Sequence, residues 1–156
     1  MISPHNLAYG VSVEYIAGVF TYQFMHASLL HLIVNILSLA LMYKPINKLY
    51  ENRFSGIKVP NLFIVLYISS VIAGGFCAVD MPTLGASAMP FFLLGMLLML
   101  NPTLQQLKNY IYVALAVIVS IIFKNSNVAL HILSFIFGAL YTIALIAYDN
   151  SRLKDS

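Results

Sequence analysis

The sequence has little charge: only 8% of its 156 residues are Asp, Glu, Lys or Arg. Apolar residues make up 61% of the chain, and its mean hydropathy is +0.90. An ordinary soluble domain has about 25% charged residues, because its surface faces water. The scarcity of charge therefore excludes such a domain, and the composition predicts a chain that crosses the lipid bilayer several times.

Cysteine is equally scarce. Cys77 is the only one, so an internal disulfide is excluded, and it has no Cys or His neighbour at metal-binding spacing. The sequence also lacks a basic patch interleaved with aromatic residues. These absences argue against redox chemistry, structural zinc and nucleic-acid binding, and no metal or organic cofactor is implied.

Five apolar runs are long enough to predict membrane-spanning helices. The first 27 residues instead mix Glu14, Gln23 and two glycines with short apolar pieces, which predicts an external amphiphilic loop at the membrane interface. We therefore expect an all-α membrane protein with one transmembrane domain over residues 28–148 and a cytoplasmic tail over 149–156. The five predicted spans are Ser28–Tyr43, Pro60–Val79, Ser87–Leu100, Tyr110–Phe123 and Val128–Tyr148.

The basic residues are distributed unevenly between the two sides of the predicted bundle. Seven of the eight Lys and Arg residues fall on the side that holds the C-terminus. Because loops rich in Lys and Arg stay in the cytoplasm, we expect the C-terminus there and the N-terminal loop outside. This is the topology of a multi-pass protein of a bacterial cytoplasmic membrane. The seven are Lys44, Lys48, Arg53, Lys58, Lys108, Arg152 and Lys154, and the eighth is Lys124.

The third apolar run is short and begins within the stretch TLGASAMPFF, residues 83–92. About 14 helical residues rise only about 21 Å, whereas the hydrocarbon layer is about 30 Å thick. Pro90 fits a helix only in its first turn, which places the helix start close to Ser87. Gly85 gives the preceding backbone the freedom and small volume to dip below the surface. Ser87 is therefore predicted below the outer membrane surface.

Four polar residues are predicted at a similar depth near that outer face. His31 and Asn35 share one face of the first span, His131 lies about one turn into the last, and Ser87 begins the third. Ionisable groups inside a membrane are costly and usually functional. Each residue also has an alternative interpretation. Ser87 could bond to a carbonyl of its own helix, and His131 could be a packed histidine or part of a proton path. His31 and Asn35 could form a polar contact between helices.

Ser87 and His131 together offer nucleophilic chemistry. A serine hydroxyl is a poor nucleophile until a base removes its proton, and neutral histidine is the usual base near pH 7. The oxyanion that forms needs donors, which the Ser87 backbone N–H, the Asn35 amide and His31 can supply. No acidic residue is embedded at this depth to orient the histidine. The sequence therefore predicts a Ser87–His131 dyad and not a triad.

Three stretches carry these residues: HASLLHLIVN at 26–35, GASA at 85–88 and HILSFIFG at 131–138. In order and spacing they resemble the motifs of the rhomboid family of intramembrane serine proteases. The resemblance implies a rhomboid-like bundle of five transmembrane helices, in which the family's usual first helix is absent. It also implies cleavage of transmembrane protein substrates near the outer membrane face, without a cofactor.

The same resemblance implies roles for individual residues. Ser87 becomes the nucleophile, His131 the base, and His31 with Asn35 the oxyanion site. Phe91 becomes the aromatic residue that packs beside the histidine, and small residues allow the third and fifth spans to pack closely. His26 either makes a structural contact or lines a water-filled cavity. The supporting residues are therefore His26, Gly85, Phe91, Gly95, Ser134 and Gly138.

Two other functions stay open at this point. Ala88 and Ser134 stand where the family usually has glycine, which favours an inactive rhomboid-like protein that binds transmembrane segments. A small channel or transporter would instead spread polar residues through the membrane depth. Metal binding by His26 and His31 is disfavoured, because a five-residue spacing places them off a common helical face. Lipid is an expected partner, and the oligomeric state is not indicated.

Overall fold

The computed structural model describes residues 19–24, 26, 28–77, 86–100 and 128–154. Within these ranges the chain is helical and contains no strand, which confirms the predicted all-α fold. The predicted span Tyr110–Phe123 lies outside the described residues. The elements are a 3-10 helix, Tyr22–Phe24, and four α-helices: α1 Leu29–Arg53, α2 Leu62–Cys77, α3 Ala88–Leu100 and α4 Val128–Lys154.

Two of the α-helices are long and apolar enough to cross a membrane. These are α1, with 25 residues, and α4, with 27, whereas α2 and α3 are shorter apolar helices. At 1.5 Å per residue, the 13 residues of α3 rise about 20 Å, so it is short for a hydrocarbon layer about 30 Å thick. Both long helices continue beyond their predicted apolar spans, because helical hydrogen bonding does not stop where the side chains become polar.

The sequence of α1 contains an N-cap residue at its start and a proline in its interior. Ser28 is the N-cap of α1, and its hydroxyl accepts a hydrogen bond from the His31 backbone N–H at 3.1 Å. Pro45 lies inside α1, and the helix continues through it to Arg53. Proline provides no N–H for the carbonyl four residues earlier, so one backbone hydrogen bond of α1 is missing there. The start of α1 thus lies within the stretch HASLLHLIVN, residues 26–35.

The shortest helix occupies the centre of the bundle. Every residue from Ala88 to Met96 in α3 is buried, and α3 contacts α1, α2 and α4. A helix that is apolar on all sides is stable only inside a bundle. The other three helices expose large apolar side chains, as expected for surfaces that face lipid. They include Leu30, Ile33, Leu37 and Leu41 of α1, Phe63, Ile68 and Phe76 of α2, and Ile132, Ile136 and Leu140 of α4.

Residues 19–24, with His26, are the described part of the segment predicted as an external interfacial loop, and its interfacial location stays a prediction. Residues 19–24 are helical, and both Tyr22 and Gln23 are buried. The Tyr22 hydroxyl donates to the Ser70 carbonyl of α2 at 2.7 Å, and its ring packs with Ala88 and Leu130 at the starts of α3 and α4. This contact fixes the segment that leads to His26. The Tyr22 ring and the hydrogen bond of its hydroxyl anchor this mostly apolar stretch against the bundle.

Polar contacts join α1 and α4 at the end of the bundle away from Ser87. Arg53 pairs with Asp149 at 2.6 Å, and the Tyr50 and Tyr141 hydroxyls are 2.7 Å apart. His131 and Asp149 are separated by 18 residues of α4, or about 27 Å along its axis. Residues of the predicted tail therefore belong to the helix and take part in packing, at nearly a membrane thickness from the serine.

Replacing Asp149 with alanine is expected to destabilise the bundle without changing the Ser87 end. The Asp149 side chain is only 11% exposed, and its removal leaves the partly exposed Arg53 guanidinium without this acceptor. Because Arg53 itself is 39% exposed, we expect a loss of about 1–2 kcal/mol in the free energy of unfolding. Unfolding in mixed detergent micelles measures this free energy.

The control is Glu51→Ala, which removes an exposed hydrogen-bond partner of Asn47. This variant should change the free energy of unfolding by less than about 0.5 kcal/mol. Equal losses in the two variants would contradict the prediction.

Candidate active site

Ser87 lies directly before the first residue of the central helix. The Met89 N–H donates to the Ala86 carbonyl at 3.1 Å, which forms the turn that leads into α3. Pro90 is the third residue of α3, where its missing N–H has no helical partner to lose. Gly85 lies outside the described residues. The chain therefore presents Ser87 at the N-terminal end of a buried helix, where free backbone N–H groups favour negative charge.

His131 of α4 lies in contact with this serine. Its Nε2 atom is 2.9 Å from Ser87 Oγ, within hydrogen-bond distance. The imidazole is buried, with only 5% of the residue exposed, whereas Ser87 is partly accessible. Because α4 begins at Val128, His131 lies in its first turn, and the two side chains meet where α3 and α4 both start. The geometry allows proton transfer between the hydroxyl and the ring.

A phenyl ring fixes the plane of the imidazole. The rings of Phe91 and His131 are stacked, with centroids 4.2 Å apart and planes inclined by only 7°. Phe91 follows Ser87 by four residues, so a single turn of α3 presents both groups to His131. The stacking leaves the imidazole free to contact Ser87 through its ring edge while one face is covered. The sequence-based assignment of Phe91 beside the histidine corresponds to this contact.

Two glycines allow α3 and α4 to approach closely below this contact. A Cβ atom on Gly138 would overlap the Phe92 carbonyl oxygen, and one on Gly95 would overlap the Phe135 carbonyl oxygen. Both obstacles belong to the backbone and not to a movable side chain. Glycine is therefore required at both positions for the observed separation of the two helices that bring Ser87 and His131 together.

The polar residues of α1 lie at the same end of the bundle. His31 is one turn before Asn35 near the start of α1. Because Arg53 and Asp149 pair near the C-terminal ends of α1 and α4, the two helices run parallel and their N-terminal ends lie on the same side. The rings of His26 and His31 lie 5.2 Å apart, edge to face. The five-residue spacing does not keep the rings apart, because His26 precedes α1 and does not follow its helical spacing. In the part of the chain that the structure describes, no group of three or more His, Cys, Asp or Glu side chains could hold a metal ion.

Several buried polar atoms at this end lack a hydrogen-bond partner among the described residues. Gln23 is the one that sequence reasoning missed: the residue is 2% exposed, and both atoms of its amide are unpartnered. A possible signal was its position three residues before His26, in an otherwise apolar stretch. Such atoms are costly in a membrane unless water or a ligand reaches them, so their clustering indicates access for water or a ligand at this end of the bundle. The atoms belong to Gln23, His26, Asn35, His131 and Ser134.

A partly accessible serine within hydrogen-bond distance of a buried histidine, at one end of an all-helical, lipid-facing bundle, defines an integral membrane protein with a serine–histidine pair. A family model described as the rhomboid domain matches residues 14–148 of this chain. The chain belongs to the rhomboid family, whose members are integral membrane proteins and generally serine proteases. No curated protein and no solved structure matches it.

Proposed function

We propose that this protein is an intramembrane serine endopeptidase that cleaves transmembrane protein substrates through a Ser87–His131 dyad. The observation that carries the proposal is the 2.9 Å separation of His131 Nε2 and Ser87 Oγ. Family membership supports it, because the rhomboid family acts on transmembrane substrates in the bilayer. The substrate carbonyl would be attacked near the outer membrane face, with the C-terminus of the protein in the cytoplasm.

In the first step, Ser87 Oγ attacks the substrate carbonyl carbon while its proton passes to His131 Nε2. The tetrahedral intermediate then expels the amine, which takes the same proton from His131 and leaves with the C-terminal fragment. The N-terminal fragment stays bound to Ser87 as an ester. Phe91, stacked on the imidazole, holds the ring in position through both proton transfers.

The negative oxygen of the intermediate needs donors that are already oriented. The Ser87 backbone N–H at the start of α3, His31 and the Asn35 amide are the proposed donors. Asn35 Nδ2 is buried and has no partner among the described residues, so it is available for such a ligand. Each donor removed from an oxyanion site of this kind slows catalysis by about 10²–10³-fold.

Water completes the cycle. His131 Nε2 removes a proton from water, the hydroxide attacks the ester, and Ser87 recovers its hydroxyl as the second fragment leaves. The bilayer supplies no water, so water must reach the dyad from the outer face, past the unpartnered polar groups at this end of the bundle. Substrate helices would enter laterally from the lipid and unwind locally, since a helical carbonyl is hydrogen-bonded and inaccessible.

Mass spectrometry of the intact protein tests the assignment directly. Purified protein in detergent is treated with a fluorophosphonate probe, which forms a covalent adduct with an activated serine. We expect one adduct per chain, located on the peptide that contains Ser87, and slower adduct formation when a transmembrane substrate competes. The same preparation in liposomes should cleave a substrate helix whose outer end contains helix-destabilising residues.

The inactive rhomboid-like protein is distinguished by the same measurement. An inactive protein would bind transmembrane segments, detected by crosslinking in liposomes, but would form no Ser87 adduct and release no fragment. Ala88 is fully buried against the Tyr22, Ala73 and Leu130 side chains, so a methyl group is accommodated beside Ser87. Alanine in place of the family's usual glycine is therefore sterically compatible with this fold. Absence of both adduct and cleavage would overturn the protease proposal.

A further inference from the structure

The second nitrogen of His131 needs an acceptor. If His131 Nε2 accepts the Ser87 proton, as in the proposed function, the proton of the neutral ring must be on Nδ1. Nδ1 is buried and has no hydrogen-bond partner among the described residues. A buried N–H without an acceptor costs about 1–3 kcal/mol. In a Ser-His-Asp site the acceptor is a carboxylate, but the buried carboxylate of α4, Asp149, pairs with Arg53 about 27 Å away.

Ser134 offers the nearest hydroxyl along the same helix. It follows His131 by three residues, so the two side chains share one face of α4, with about 5–6 Å between their Cβ atoms. Ser134 is only 2% exposed, and its Oγ atom also lacks a partner among the described residues. Thr142, in the same helix, shows the usual alternative: its hydroxyl donates to the Gly138 carbonyl at 2.9 Å. Ser134 makes no such bond and is available to another group.

We propose that Ser134 is a positioning residue for His131, and that its hydroxyl and the Nδ1–H hold one water molecule between them. The proposal rests on the dyad function described above. A bridging water is the proposed link because both atoms lack a direct partner among the described residues, and one water with two hydrogen bonds of about 2.8 Å joins groups that do not touch. The water fixes the ring tautomer that leaves Nε2 free to accept the Ser87 proton. It takes the place of an acidic residue, which the described part of the site lacks.

The proton balance of the proposed arrangement is simple. When Ser87 attacks, its proton moves to Nε2 and the imidazole becomes positively charged. Nδ1 keeps its own proton throughout and donates it in a hydrogen bond to the water oxygen, while the water donates to Ser134 Oγ. A hydrogen bond from a charged donor is stronger than one from a neutral donor, so the contact stabilises the transition state more than the resting state. Ser134 itself gains and loses no proton.

The test compares Ser134→Ala with Thr142→Ala, since both remove a buried hydroxyl from α4. We expect Ser134→Ala to slow formation of the Ser87 fluorophosphonate adduct about tenfold, which corresponds to one lost hydrogen bond of about 1.4 kcal/mol. Thr142→Ala should change the rate less than twofold. Ser134→Gly removes the same hydroxyl with a smaller side chain and should match Ser134→Ala.

A spectroscopic measurement separates positioning from packing. Nitrogen-15 NMR of histidine-labelled protein in micelles reports which ring nitrogen carries the proton, and the His131→Ala spectrum assigns the signal. We expect protonated Nδ1 in the unmodified protein and a mixture of tautomers in Ser134→Ala. An unchanged tautomer, or equal rate losses in Ser134→Ala and Thr142→Ala, would overturn the proposal. Because the spectrum needs no activity, a protein that forms no adduct but shows the tautomer change would refute the protease and not the role of Ser134.

Discussion

His131→Ala and Ser87→Ala are each expected to slow cleavage of a transmembrane substrate by about 10⁴-fold or more. Ser87 Oγ and His131 Nε2 are 2.9 Å apart and act in the same proton transfer, so loss of either one stops nucleophilic attack. The double variant should be no slower than Ser87→Ala alone, because residues that act as a unit have non-additive effects. Initial rates of fragment release in liposomes measure all three.

Ser70→Ala is the matched control for this prediction. Ser70 is also a buried serine in an apolar helix, and its hydroxyl donates to the Tyr67 carbonyl at 2.8 Å. The Ser70→Ala variant should retain the rate within about twofold, because a hydroxyl bonded to its own helix contributes little. Cleavage that persists in Ser87→Ala would show that another nucleophile acts. Multiplied losses in the double variant would show that the two residues act in separate steps.

The Ser87–His131 contact was predictable because residue type, depth and motif spacing all agreed. Pro90 indicated where the third helix starts, and the distance of His131 from the start of the last apolar run gave the same depth. The stacking of Phe91 required the family resemblance, since an aromatic side chain in an apolar helix is otherwise a core residue. The catalytic roles of these residues stay predictions that the experiments above test.

Other features could not be predicted from hydropathy. Hydropathy reports how favourably a side chain transfers into lipid, so the predicted first span ends at Tyr43. The helix itself continues to Arg53, through the charged end of the bundle. The burial of Gln23 depends on Tyr22 finding the Ser70 carbonyl, a contact between residues 48 positions apart. No local pattern encodes that pairing. Long-range hydrogen bonds therefore determine the part of the site that the sequence did not indicate.

Gly138→Val is expected to disrupt the contact between α3 and α4 and, with it, the site. The first side-chain carbon would overlap the Phe92 carbonyl oxygen, and valine adds two further methyl groups. This overlap is relieved only if the two helix backbones separate. The resulting loss in the free energy of unfolding should exceed the roughly 1–3 kcal/mol typical of overpacking against movable side chains. We expect a large fall in the thermal unfolding midpoint in micelles and loss of the Ser87 adduct.

Gly56→Ala provides the control for a glycine substitution. A Cβ atom at Gly56 would meet nothing within 4 Å, so alanine there should leave the unfolding midpoint and adduct formation unchanged. Gly75→Ala is a second control within α2, where the nearest atom outside its own helix is a Val19 methyl carbon at an ordinary 3.7 Å. These variants separate a general effect of losing glycine from the steric effect at the α3–α4 contact.

Gly138→Ala tests whether the packing of α3 against α4 controls the distance between Ser87 and His131. A single methyl group forces a smaller separation of α3 from α4 than valine does, so part of the protein should still fold in micelles. If the glycine contact holds Ser87 and His131 together, the folded fraction of Gly138→Ala should form the Ser87 adduct more slowly than the unmodified protein. Normal adduct formation per folded molecule would mean that other contacts hold the two helix starts together, and the Tyr22, Ala88 and Leu130 cluster would then be the source of that constraint.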